Sequence, residues 1–251
     1  MYPPSNENSY AAVADPTLGL DSSYGGAQKL GEAMVGLDML GYHPKSGFRA
    51  DGQNVRDDGG GLPEPFVVYN PITGIPPNAA GLFGETPIEN QQNRKYYMEL
   101  ENANAFTLDS VYDTAELAAD GFLPDYNGLY SIVLCDVYAQ KRLQSSKKTG
   151  MPVLYYRART GFTRQDSTDA FGVDDDVYNF EDNALLLGLE TATSEPLPHP
   201  LSVGLNFEEM ILNPEVAMIK KPYRAESYIL ISAGKDGFYG TTDDICNFKK
   251  N

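Results

Sequence analysis

The sequence predicts an α+β protein in which an N-terminal helix packs on a mainly antiparallel β-sheet, with long loop insertions between the elements. One stretch near the start repeats its apolar residues at three- and four-residue spacing, the signature of a helix with one buried face. Several later runs are short and rich in β-branched, aliphatic and aromatic residues, as strands are. The 24 glycines and 17 prolines in 251 residues exceed the usual share of about 12%, so turns and connections take much of the chain.

Residues 1 to 24 are small and polar and read as an irregular lead-in to one globular domain over 25–251. From Gly25 to Leu40, Ala27, Leu30, Ala33, Met34, Leu37 and Leu40 form the apolar stripe of a helix that stops at Gly41-Tyr42-His43-Pro44. Gln28, Lys29, Glu32 and Asp38 fall outside the stripe, so the helix is expected to lie on something rather than stand free. About forty residues of punctuation follow, including the 56–63 and 71–77 stretches, long for a loop in a compact domain.

Leu129 to Ala139 (LYSIVLCDVYA) and Val153 to Ala158 (VLYYRA) are the strongest strand signals, and antiparallel pairing across the basic 140–150 connection is the economical arrangement. Asp166 to Asp182 is an acidic excursion. Phe207 to Leu212 suits one or two helical turns before Asn213-Pro214. Tyr228 to Ser232 (YILIS) and Ile245 to Phe248 (ICNF) complete the strands.

The charge balance limits the function. Nineteen basic against 35 acidic side chains leave −16, a field that repels phosphate backbones and excludes nucleic acid as an expected partner. Two cysteines, Cys135 and Cys246, and two histidines, His43 and His199, are too few and too scattered for a thiolate zinc site. The cysteines are either one disulfide or two buried thiols. Both histidines stand next to proline and are expected in solvated loops. No apolar run approaches the ~20 residues of a membrane helix. The start, Met1-Tyr2-Pro3-Pro4-Ser5, lacks a signal peptide's basic and apolar regions.

The sharpest local feature is Ser232-Ala233-Gly234-Lys235-Asp236-Gly237-Phe238-Tyr239-Gly240-Thr241-Thr242-Asp243-Asp244. It leaves one strand, turns on three glycines and returns Asp236 towards Asp243 and Asp244 before the next strand. Three carboxylates on one loop repel each other unless a cation or donor groups sit among them. Calcium suits carboxylate and carbonyl oxygens, and glycines let a backbone turn its carbonyls inward. The spacing is not that of an EF-hand. A solvated Asp/Gly hairpin loop stands beside calcium as the other reading.

The ending YILISAGKDGFYGTTDDICNF resembles the C-terminal loop of type II secretion major pseudopilins and related prepilin-type proteins, planctomycete-type members among them. GAQKLGEAMVGLDMLGYHP, MELENANAF, VLCDVYA and PVLYYRA support the likeness jointly, from about Gly25 to Phe248. The resemblance implies a pilin-like fold, a structural subunit of a secretion pseudopilus or type IV pilus-like filament, and calcium held by Asp236, Asp243 and Asp244. It implies self-assembly, contacts with other pseudopilins and secretion-apparatus proteins, and a place in the bacterial cell envelope, periplasmic or extracellular. The family's leader, its cleavage-site glutamate and its apolar helix have no counterpart here. The expectation is a soluble ectodomain whose parent is anchored in the inner membrane by a helix absent from this chain. The regions 49–93 and 160–200 exceed a simple pseudopilin domain.

Two other classes stand behind this one. A cell-surface carbohydrate-binding or adhesive module would use tyrosines such as Tyr96, Tyr97, Tyr155 and Tyr156, but adjacent strand residues face opposite ways and make no common platform. An acidic glycoside hydrolase ranks lower, and the sequence has no GxSxG, HExxH, GxxxxGK[ST] or GxGxxG motif, so no enzyme activity is expected. The acidic clusters Asp174-Asp175-Asp176 with Glu181 and Asp182, and Asp57-Asp58, read as solvated loops.

Overall fold

The computed structural model describes residues 25–36, 39, 41–42, 53–57, 63–67, 92–99, 103–120, 122, 131–138, 140–141, 148–166, 176–189, 199–216 and 218–248. For 53–57, 63–67 and 140–141 it gives the backbone alone. The lead-in, His43, Leu37, Leu40, Asp174 and Asp175 lie outside these residues, as do most of the 43–91 and 167–198 stretches.

The elements are α1 (Gly26–Val35), β1 (Gln53–Asp57), β2 (Pro63–Val67), β3 (Ala105–Thr107), α2 (Leu108–Val111), α3 (Thr114–Ala119) and β4 (Ile132–Leu134). They continue with β5 (Gln140–Lys141), β6 (Lys148–Thr149), β7 (Leu154–Arg157), α4 (Ala184–Gly188), α5 (Gly204–Ile211), β8 (Tyr228–Ser232) and β9 (Ile245–Cys246). Short 3₁₀ turns, Phe180–Asn183 and Pro200–Ser202, lead into α4 and α5. Every paired strand is antiparallel: β1 with β2, β3 with β4, β5 with β6, and the three-stranded order β7-β8-β9. The protein is α+β, built from small antiparallel sheets.

Helix α1 is shorter than its apolar repeat suggests. It ends at Val35 because Gly36 takes φ +79°, and the Gly36 N–H donates to Glu32 O while Gly41 N–H donates to Val35 O. Polar residues outside the apolar stripe do not all face solvent. Gln28, Lys29 and Glu32 are buried along with Ala27 and Val35. Gln28 is held inside by accepting from Gly25 N–H at 2.7 Å and donating to Ser131 Oγ at 2.6 Å.

Two glycines set how closely α1 approaches the strands. A Cβ on Gly26 would collide with the Tyr155 carbonyl, and one on Gly31 with the Ile132 carbonyl. The helix therefore rests directly on the backbones of β7 and β4. Asn183 locks its first turn, accepting from Ala27 N–H at 2.9 Å and donating to Tyr155 O at 2.9 Å.

The strongest strand pair of the sequence reading is also corrected. β4 makes its ladder with β3, and β7 with β8, in the register Leu154↔Ile231 to Arg157↔Tyr228. Among the described residues the two expected partners meet at an antiparallel bridge, Cys135↔Pro152, through Asp136 N–H to Met151 O and Val153 N–H to Leu134 O. The connection between them forms the β5–β6 pair, and its end, Thr149 and Gly150, is buried.

Both faces of the β7–β8 ladder are covered. Tyr156 packs on Phe207 of α5 with ring centroids 4.7 Å apart, while Tyr155 turns the other way and meets Tyr228 at 5.9 Å. Both tyrosines are buried, so they are core aromatics and not a platform for sugars. Cys135 is buried, Cys246 is half-buried, and both are thiols. The acidic excursion is not uniformly solvated either: Asp176 is buried and accepts from Asp166 N–H at 2.7 Å, and Asp182 is buried in its 3₁₀ turn.

Candidate metal-binding loop

The loop between β8 and β9 is a series of tight turns that its glycines permit. Gly234, Gly237 and Gly240 all have positive φ. At Gly234 an added Cβ would stand 2.8 Å from Asp243 Oδ2, and at Gly240 it would stand 2.7 Å from Leu201 N. The glycines thus let the two ends of the loop touch each other and let the loop touch the 199–202 segment.

The carboxylates organise these turns. Asp243 Oδ2 accepts from Lys235 N–H at 2.8 Å and Asp236 N–H at 3.0 Å, closing the loop's two ends together. Its Oδ1 accepts from the Thr241 hydroxyl at 2.6 Å. Asp236 Oδ1 accepts from Phe238 N–H at 2.8 Å, and Asp244 Oδ2 from Gly240 N–H at 2.7 Å. Asp243 and Asp236 are thus joined through backbone, and Thr241 stands between Asp243 and Asp244.

The electrostatics of the two neighbours diverge. The Thr241 hydroxyl, with the N–H groups of Asp236 and Lys235, holds the Asp243 carboxyl down at about 2. Burial pushes Asp244 up to about 6, helped by the negative charges of Asp236 and Asp243. Donor groups outweigh burial at Asp243; at Asp244 the N–H groups of Gly240 and Thr241 offset burial only in part.

A second set of contacts ties the loop to the core, and it rests on residues to which the sequence assigned no such role. Tyr239 is fully buried; its N–H donates to His199 Nδ1 at 3.2 Å, its carbonyl accepts from Leu201 N–H at 3.0 Å, and its hydroxyl donates to Pro152 O. The His199 ring lies between Phe238, at 5.8 Å, and Tyr239, at 4.8 Å. The expectation of a solvated His199 is corrected: it is a buried acceptor for the loop. Proline on either side of it gave the extended backbone correctly, but only the aromatic pair forty residues on could have signalled its burial. Ser232 adds another tether, donating to Asp136 Oδ2 at 3.0 Å and accepting from Gly234 N–H at 3.3 Å.

The donor chemistry suits a hard divalent cation: three carboxylates and a threonine hydroxyl on one glycine-hinged loop. Among the described residues no group of three or more His, Cys, Asp and Glu is drawn together tightly enough to hold a metal as it stands. An ion bound here would share Asp236, Asp243 and Asp244 with the N–H groups that they already accept from. No described helix is long and apolar enough to cross a membrane.

Comparison with known proteins found no matching family model, no similar curated protein and no similar solved structure.

Proposed function

We propose that this chain is the ectodomain of a structural, non-enzymatic subunit of a pseudopilus or type IV pilus-like filament in a bacterial cell envelope, with a pilin-like fold and calcium bound by Asp236, Asp243 and Asp244. The observation that carries the reading is the combination of one N-terminal helix seated on antiparallel strands with a C-terminal Asp/Gly loop fastened to the same core. In that arrangement the loop's order and the subunit's surface are coupled.

Calcium would add mass-action stability, roughly 2.7 kcal/mol at a hundredfold excess over Kd. For a protein of this size that corresponds to about 5–10 °C in Tm. Melting is measured with calcium and with chelator on wild type and on Asp243→Ala. The wild type gains the shift and the variant loses it; equal shifts reject the calcium assignment. The filament role is tested by placing the chain behind a prepilin-type N-terminal helix and probing sheared filaments for it. Binding on a glycan array with no incorporation into filaments favours the adhesive reading instead.

A further inference from the structure

The antiparallel hairpin of β1 and β2 has two edges of different chemistry. Its register runs Gln53↔Val67, Asn54↔Phe66, Val55↔Pro65, Arg56↔Glu64 and Asp57↔Pro63. Antiparallel rows alternate between pairs that exchange both N–H···O bonds and pairs that exchange none. Proline has no N–H, so the rows of Pro65 and Pro63 are of the second kind, and the ladder bonds run through Asn54↔Phe66 and Arg56↔Glu64. The backbone groups of Gln53, Val55 and Asp57 on β1, and of Pro63, Pro65 and Val67 on β2, therefore point away from the hairpin's own ladder.

On the outer side of β2, Pro63 and Pro65 offer no donor, which closes that edge to a further strand. On the outer side of β1, Gln53, Val55 and Asp57 all keep N–H and C=O. Among the described residues β2 is the strand that pairs with β1, in a sheet of the order β1-β2, so the outer edge of β1 is open. A two-stranded hairpin is marginally stable in water, and further strands are what stabilise it.

We propose that β1 pairs antiparallel with β1 of a second copy about a two-fold axis at Val55, making a four-stranded sheet β2-β1-β1-β2 across two subunits. Register selects this occupant. With the axis at Val55, Gln53 stands opposite Asp57 of the second copy, Val55 opposite Val55, and Asp57 opposite Gln53, so each outward donor meets an outward acceptor. In the rows between, Asn54 stands opposite Arg56 of the second copy. No like charges are opposed, whereas sliding the axis one position to Arg56 would set arginine against arginine. Pro65 and Val55 of one copy fall in one row with Val55 and Pro65 of the other, an apolar row across all four strands. The chain as a whole carries −16, yet β1, with one arginine and one aspartate, is neutral and adds no repulsion at the contact. The proline-closed β2 edges end the sheet on both sides, so the contact closes as a two-fold dimer. The inference goes beyond the filament-subunit reading and does not depend on it.

The test is sedimentation equilibrium of the full chain for wild type, Val55→Pro, Val67→Pro, Asn54→Arg and Asn54→Asp. The wild type dimerises. Val55→Pro removes an outward donor but no bond of the β1–β2 ladder, and weakens the dimer about tenfold or more. Val67→Pro makes the same change on the edge that takes no strand and leaves the dimer unchanged. Asn54→Arg sets arginine against arginine and weakens association several-fold, while Asn54→Asp sets aspartate against arginine and strengthens it by a similar factor. A wild type that stays monomeric at the highest concentration reached overturns the proposal. So does a Val55→Pro chain that dimerises like wild type, or a pair of Asn54 variants that shift association in the same direction. Where circular dichroism shows Val55→Pro to be misfolded, the opposite signs of the two Asn54 variants decide alone, since both keep every backbone donor.

Discussion

Asp243 and Asp244 are adjacent in sequence yet respond to acid in opposite ways. The Asp244 carboxyl, raised to about 6, favours the protonated fold, so its contribution to stability is present below pH ~4 and is lost as pH rises through 6. Asp243, lowered to about 2, contributes above pH ~4 and loses that contribution as pH falls towards 2. In chelator, a carboxyl titration followed by carbon NMR should show a midpoint near 6 that disappears in Asp244→Asn, and the decline in Tm between pH 4 and 6 should flatten in the same variant. A midpoint near 4 for Asp244 would contradict the burial argument. At this scale the sequence was informative about which groups matter, because three aspartates among glycines announce a charged turn. It could not reveal that backbone N–H groups would occupy so many of their oxygens. That depends on turn geometry which residue types alone do not specify.

Among the elements, α1 makes the sharpest prediction. Gly31→Ala places a methyl group against the Ile132 carbonyl, and the helix must lift from β4 to make room. Overpacking of this kind costs about 1–3 kcal/mol, which is a fall of several degrees in Tm. Gly188→Ala, where an added Cβ meets nothing within 4 Å, should leave Tm unchanged or slightly raised. Equal effects of the two substitutions would show that the helix has room to spare. Differential scanning fluorimetry of both variants decides it. The helix, β8 and the helical turn at Phe207 could all be read from periodicity and residue type. The burial of Lys29 and Glu32 could not, since charge normally marks an exposed face and only the surrounding elements reveal otherwise. The pairing of β4 with β3 escaped for a related reason: Ala105–Thr107 is only three residues long and carries too little pattern to be called a strand.

At the scale of the whole molecule, the terminal loop is joined to the core at Tyr239, and His199 is the acceptor that makes this joint specific. His199→Phe keeps the ring among Phe238 and Tyr239 but leaves the buried Tyr239 N–H without its acceptor, at a cost of about 1–3 kcal/mol. Chemical denaturation should show that loss. Hydrogen exchange should show faster exchange at Tyr239 and Gly240 than at Ile229 and Ile231 in the middle of β8. Uniform acceleration across both segments would mean that the loop and sheet unfold as one unit and that His199 is only a packing residue. The overall class, mixed helix and antiparallel strand, was readable from composition and segment lengths. The fastening of residue 199 to residue 239 was not, because long-range contacts between loops leave no periodic trace.

The absence of side chains at Gly26 and Gly31 also decides how the molecule carries load. With no cushion of side chains between the helix and the carbonyls of Tyr155 and Ile132, a pull along α1 is delivered straight into two strand backbones at once. Tension arriving at Gly25 would therefore load β7 and β4 through these two backbone contacts first.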